Sequence, residues 1–212
     1  MNIPTVPPEL IRKIKNGECT AFVGSGLSTM AGLPNWETIM LRLIDKCCES
    51  EREKKEKRVL LDLIEAGRLV DLGEFVKSSL RPKTFVDQLV SLLEPPDIQP
   101  TQTHTTFSAI PFSAVITTNF DHLLETTYSK AYGGRYTRTY SHTNISALGN
   151  LIAERQFFIL KAHGTLDDPE NLIFSRSDYQ RVMFNSPGFR TFFSSLFASR
   201  TVLFIGYSIS DP

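Results

Sequence analysis

The sequence is poor in the residues that would announce a function. Three of its 212 residues are cysteine, Cys19, Cys47 and Cys48. None forms a Cys-x-x-Cys pair, and no Cys/His cluster has zinc-finger spacing. An odd count with two neighbours argues against a disulfide framework and fits a reducing compartment. Charge of one sign is also missing: Lys+Arg and Asp+Glu both number 23, so no global basic field favours nucleic acid. No apolar run approaches the roughly 18 residues of a membrane span. The opening "MNIPTVPPEL" lacks a basic segment followed by an apolar one. These absences lead us to expect a cytoplasmic protein with no membrane contact and no direct nucleic-acid binding. There is no internal repeat, low-complexity tract or Gly/Ser linker.

What is present is an ordinary globular composition, 41% apolar and 22% charged. Pro8 and Gly17 bracket a short helix in "ELIRKIKNG". The apolar run Thr20–Val23 predicts a strand that breaks into Gly24-Ser25-Gly26. Trp36, Ile39, Met40, Leu43, Ile44 and Cys47 then recur at helical spacing, with Asn35 as N-cap. Helical patterns continue through "KTFVDQLVSLLEPPD" and "TQTHTTFSAIP". The mixed charge run Glu51 to Arg58 reads as a solvated helix face. Three more short apolar runs follow, Ala114–Thr117, Phe157–Leu160 and Val202–Ile205, each ending in a polar turn. Short, fully apolar strands predict a parallel sheet covered on both faces. In such sheets ligands sit at the carboxyl ends of the strands.

The fold expected is therefore α/β: a Rossmann-like parallel sheet with helices on both faces and a helical insertion after the first strand, about residues 33–110. One domain spans residues 1–212. The chain closes on an apolar strand and a Gly/Ser turn, which should feed another element, so a further C-terminal region is expected.

Each polar turn has two readings when taken alone. "GSG" is no Walker loop, because no Lys-Ser/Thr follows, and Thr29 stands where a Gly-x-Gly-x-x-Gly fingerprint needs its third glycine. It fits a phosphate cradle or a tight strand-to-helix connection. In "TTNFD", Asp121 fits an Asx turn or helix N-cap, while Asn119 at a strand end can orient a water or a ribose hydroxyl. In "KAHG", His163 fits a structural histidine or a base at the ligand edge, and Gly164 would let backbone approach a ligand. Gly206-Tyr207-Ser208 fits a cradle or a strand-ending turn. "FRTFFSSLFASR" reads as a core helix, and His104, His122 and His142 as surface or local polar residues.

The order of the turns is more specific than any one of them. Gly24-Ser25-Gly26-Leu27-Ser28, Gly32-Leu33-Pro34-Asn35-Trp36, Thr117-Thr118-Asn119-Phe120-Asp121, His163-Gly164 and Gly206-Tyr207-Ser208 follow one another along the chain. This series resembles the sirtuin-like domains. It departs from the sirtuin deacylases after His163-Gly164, where their zinc module of two Cys-x-x-Cys pairs is missing. Glu37 also stands where they carry an arginine. The pattern is similar to the zinc-free sirtuin-like NAD hydrolases of bacterial antiviral defence.

That resemblance implies an NAD glycohydrolase that releases nicotinamide and ADP-ribose, with NAD as substrate and no zinc. It implies that Gly24, Ser25 and Gly26 hold the pyrophosphate through backbone N–H groups, and that Ser28 adds a side-chain contact. Asn119 would position the nicotinamide ribose and the water, and Asp121 would bind the carboxamide. His163 would act as base, and Gly206 and Ser208 would line the adenosine side. It further implies a sensor domain or partner protein, a homo-oligomer and a role as an abortive-infection effector. Two other functions share these residues: an NAD-dependent protein deacylase or ADP-ribosyltransferase, and a non-catalytic module that senses NAD or ADP-ribose.

Overall fold

The computed structural model describes residues 5–48, 51–134 and 138–208. After helix α1 (Pro8–Lys15), strand β1 (Cys19–Val23) leads directly into the short helix α2 (Ser25–Ser28). Four helices then build the insertion: α3 (Trp36–Cys47), α4 (Glu51–Glu65), α5 (Leu69–Ser79) and α6 (Pro82–Leu93). Helix α7 (Gln102–Ser108) returns the chain to the sheet at β2 (Val115–Thr117). Next come α8 (Leu123–Ala131), β3 (Thr139–Ser141), α9 (Leu148–Ala153) and β4 (Ile159–Lys161). Helices α10 (Arg176–Asn185) and α11 (Pro187–Ser199) precede β5 (Thr201–Ile205).

The strand order is β3-β4-β2-β1-β5, and every pairing is parallel. β1 is buried at all five positions, as a strand covered on both faces must be. Its residues alternate between two cores. Cys19, Ala21 and Val23 join Phe107, Leu124 and Tyr128 of α7 and α8, while Phe22 joins Leu148, Phe192 and Leu196 of α9 and α11. The sheet is therefore the middle layer of a three-layer α/β fold.

A third core lies inside the insertion. Met40, Leu43, Ile44, Leu72, Val76, Phe85 and Leu89 close on one another, and Phe120 and Phe174 from the sheet side complete it. Asn35 caps α3 as its position predicts, with Oδ1 accepting from the Thr38 amide at 2.9 Å. Gly73 sets how close the insertion comes, since a Cβ there would sit 2.2 Å from the Phe174 carbonyl oxygen.

Several expectations are corrected. Strand β3 is polar and short and has no counterpart in the apolar runs. The run at Phe157–Leu160 is displaced by one to two residues, so that Lys161 is its last strand residue. Two of the three histidines read as surface or local polar residues are buried: His104 is fully enclosed and His142 nearly so. His122 is half-buried between Glu94, Thr165 and Asp167. Most of the charge run Glu51 to Arg58 has side chains outside the described residues.

Candidate active site

The carboxyl ends of β1, β2, β4 and β5 open on one cavity of about 270 Å³. Ser25 and Ser28 line it from the β1 end, Thr118, Asn119 and Asp121 from β2, His163 from β4, and Tyr207 and Ser208 from β5. Strands that arrive at very different points in the chain thus bring together the residues of all four turns. The insertion supplies the opposite wall through Asn35, Trp36, Glu37, Leu69 and Leu93. No lysine or arginine is among the described residues that line this cavity.

Ser28 is the hub of its polar wall. Its hydroxyl donates to Asp121 Oδ2 at 2.7 Å and accepts from Asn119 Nδ2 at 2.9 Å. Asn119 Nδ2 also donates to the Gly24 carbonyl at 3.1 Å. Both amide protons of Asn119 are therefore committed to the β1 turn, which leaves Oδ1 as the atom that can accept from a water or a hydroxyl. Asp121 is 5% exposed, and its Oδ1 accepts from the Leu123 amide at 3.0 Å at the start of α8. Of its two local readings Asp121 takes the Asx turn, with His122 as the N-cap residue of α8, and its side chain lies along the cavity. Ser28 spends its proton inside the protein, so its hydroxyl holds the two neighbouring side chains instead of reaching out as a donor.

The glycine turn is also committed. The Gly24 amide donates to Ile205 O at 3.0 Å and the Gly26 amide to Gly206 O at 2.8 Å. A Cβ on Gly24 would lie 2.5 Å from the Gly206 oxygen, and one on Gly26 2.7 Å from Gly206 Cα. The expected cradle of three amides is corrected accordingly. Two of them tie the β1 turn to the β5 turn, and Ser25 is left as the residue of this turn that faces the cavity. The glycines are required because two backbones touch. Gly164 is similar: with φ +91°, its bare Cα allows the Asn171 carbonyl to come close, where a Cβ would lie 2.8 Å away.

A residue missed in the sequence organises the β2 turn from below. Lys161 is 1% exposed, and its ammonium donates to the carbonyls of Phe120 at 2.9 Å and Asp121 at 2.6 Å. It also pairs with Glu125 at 2.9 Å. A buried ammonium survives only when so partnered. The one available signal was a lysine closing an otherwise apolar run.

His163 has a neighbour that no motif singled out. Tyr179 Oη lies 3.1 Å from His163 Nε2. His163, Thr118 and Tyr207 form the shared wall between the polar cavity and an apolar one of about 350 Å³. Phe22, Ile173, Met183, Phe189 and Phe193 are among the residues that line the apolar side. No group of three or more His, Cys, Asp or Glu able to hold a metal ion occurs among the described residues. No helix is long and apolar enough to cross a membrane among them.

Residues 113–212, which carry β2 through β5, match the model of the SIR2-like domain family. Over 202 residues the chain is 23% identical to the NAD(+) hydrolase ThsA of Enterococcus faecium, covering 94% of this chain and 39% of that protein. It is 27% identical over 213 residues to the defense-associated sirtuin 2 of Bacillus subtilis, covering 99% of this chain and 20% of that protein. The NAD(+) hydrolase ThsA of Bacillus cereus (strain MSX-D12) is 21% identical over 208 residues, covering 96% and 40%. The chain thus spans two fifths or less of the length of these relatives.

Proposed function

We propose that this chain, a sirtuin-like domain, cleaves the glycosidic bond of NAD: NAD⁺ and water give nicotinamide, ADP-ribose and a proton. The observation that carries this reading is the convergence of Asn119 and His163 on one cavity at the carboxyl edge of the sheet. The names of the relatives, NAD(+) hydrolase and defense-associated sirtuin, support it.

The chemistry asks little of the protein. The pyridinium nitrogen takes the bonding pair and leaves as neutral nicotinamide, so no general acid is needed at the leaving group. Positive charge builds on the ribose, as in glycoside cleavage. Asn119 Oδ1 accepts a hydrogen bond from the attacking water or a ribose hydroxyl and holds it in place. His163 takes the proton that the water or hydroxyl gives up. Asp121 faces the nicotinamide carboxamide, and Ser25 borders the pyrophosphate. Gly206 and Ser208 lie on the adenosine side. Trp36 and the rest of the insertion wall exclude bulk water.

In this reading the domain is the effector part of an antiphage abortive-infection system. It acts in the cytoplasm, as a homo-oligomer, under the control of a sensor domain or partner protein. A second reading, NAD-dependent deacylation or ADP-ribosyl transfer, is favoured by one observation: the apolar cavity on the far side of His163 has room for an acyl chain or acceptor.

The test is nicotinamide release from NAD by wild type, Asn119→Ala and His163→Ala, without peptide. Release by wild type, lost by about 10²–10⁴-fold in His163→Ala, supports the hydrolase. Release that requires an added acyl-peptide supports the second reading. Tight NAD binding without product at any enzyme concentration points instead to a sensing module.

A further inference from the structure

We propose that Tyr179 is the positioning residue of His163: its phenol oxygen accepts the Nε2 proton, which fixes the imidazole tautomer and makes Nδ1 the basic nitrogen. The proposal rests on the reading of His163 as the base of the site.

Three observations carry it. Tyr179 Oη and His163 Nε2 are 3.1 Å apart, and the two rings meet edge to face with centroids at 5.3 Å. The contact therefore fixes both the plane of the imidazole and one of its nitrogens. Tyr179 lines the apolar cavity and is absent from the wall of the polar one, so it reaches His163 from the side away from Asn119. It is presented by a pinned helix. The first turn of α10 is tied to α5 by Asp178, which takes the Lys77 ammonium at 2.7 Å on both oxygens, and by the pairs Arg176–Asp71 and Ser177–Glu74. The Ile173 amide, just before α10, donates to the His163 carbonyl at 2.8 Å.

The chemistry follows from the two rings. A phenol keeps its proton near neutral pH, with an ordinary pKa of about 10. As an acceptor it favours protonated Nε2 in both the neutral and the cationic imidazole, and favours the cation more. This is how an imidazole is usually held for proton transfer: one nitrogen is bonded so that the other is poised. Tyr207, Asp121 and Glu37 also border His163's cavity, and a change at Tyr179 leaves all three in place.

The test uses the whole chain labelled with ¹⁵N-histidine. There are four histidines, His104, His122, His142 and His163, so the His163 signals are assigned by their loss in His163→Gln. In wild type we expect His163 protonated at Nε2 when neutral. In Tyr179→Phe, which keeps the ring contact, its pKa should fall. In parallel, kcat for nicotinamide release should drop about threefold to tenfold, the value of one hydrogen bond, with KM for NAD unchanged. A wild-type His163 protonated at Nδ1, or a pKa unchanged or raised in Tyr179→Phe, overturns the proposal. A wild type that releases no nicotinamide overturns the hydrolase reading, whereas the tautomer and titration still decide the role of Tyr179.

Discussion

The Ser28 hydroxyl stands between two side chains from another strand, donating to Asp121 at 2.7 Å and accepting from Asn119 at 2.9 Å. Among the described residues, Ser28→Ala removes the hydroxyl that meets both. Asp121 would then be a buried carboxylate short of one partner, which costs about 1–3 kcal/mol. Asn119 would lose one of the two bonds that aim it. We expect a lower melting temperature, together with nicotinamide release reduced about tenfold to a hundredfold through mispositioning. Calorimetry and an NAD assay on one preparation check both. Full activity in Ser28→Ala would show that the hub does not set the geometry of Asn119.

Gly206 and Gly17 share a left-handed backbone, φ +61° and +67°, but differ in their surroundings. A Cβ on Gly206 would lie 2.7 Å from the Leu27 nitrogen, whereas one on Gly17 meets nothing within 4 Å. Gly17→Ala should therefore cost only the backbone term, about 1–2 kcal/mol. Gly206→Ala should cost that plus an overpacking term of about 1–3 kcal/mol. It should also spread the β1 and β5 turns and reduce activity. Urea unfolding of the two variants measures the gap; equal losses would mean that the turn contact yields without strain.

Lys161 and Glu125 form a buried pair at 2.9 Å under the β2 turn. The Glu125 carboxylate is enclosed and has no well-directed hydrogen bond among the described residues, so the pair attracts through charge. Lys161→Met would strand that charge and free the Phe120 and Asp121 carbonyls, at a cost of about 3–5 kcal/mol. Adding Glu125→Gln should restore part of it, with a coupling of about 0.5–3 kcal/mol in the double-mutant cycle. Additive losses would show that the lysine's carbonyl contacts, and not the ion pair, carry its contribution.

These three contacts show what the sequence could and could not carry. Four of the five strands were legible because a strand buried on both faces must be apolar throughout, and each ends at a polar turn. β3, at the sheet edge, reads Thr139-Tyr140-Ser141 and offers no such signal. The motif residues were legible by kind and order. Their partners were not, because pairing depends on register across the sheet: Ser28 and Asp121 are 93 positions apart. "GSG" fits a phosphate cradle or a tight connection by its local pattern, whereas Gly24 and Gly26 accommodate Gly206, a contact between turns 180 residues apart or more that no local pattern encodes. His104 does make the local polar bond, to the Thr101 amide, but its burial has no local signal: polar residues at a helix start are usually solvated, whereas α7 is pressed onto the sheet.

Acid should expose that buried histidine. His104 is fully enclosed; its Nδ1 accepts from the Thr101 amide at 3.2 Å, and its Nε2 has no partner among the described residues. A bare Nδ1 requires the neutral ring. Burial lowers its pKa, against a weaker upward pull from the Asp121 charge. Because the folded pKa lies below the unfolded value of about 6.5, the stability His104 contributes is fully present above that pH. It is lost as pH falls toward and through the folded value. His142 adds a loss of the same sign, its pKa lowered first by burial and then by Arg181. We expect the unfolding free energy to fall between pH 7 and pH 5, by up to about 1.4 kcal/mol per pH unit for each histidine, and the melting temperature to fall with it. His104→Gln keeps a side chain able to reach back to the Thr101 amide and does not titrate, so its profile should be flatter over the same range. Parallel slopes for wild type and His104→Gln would assign the acid sensitivity to other groups.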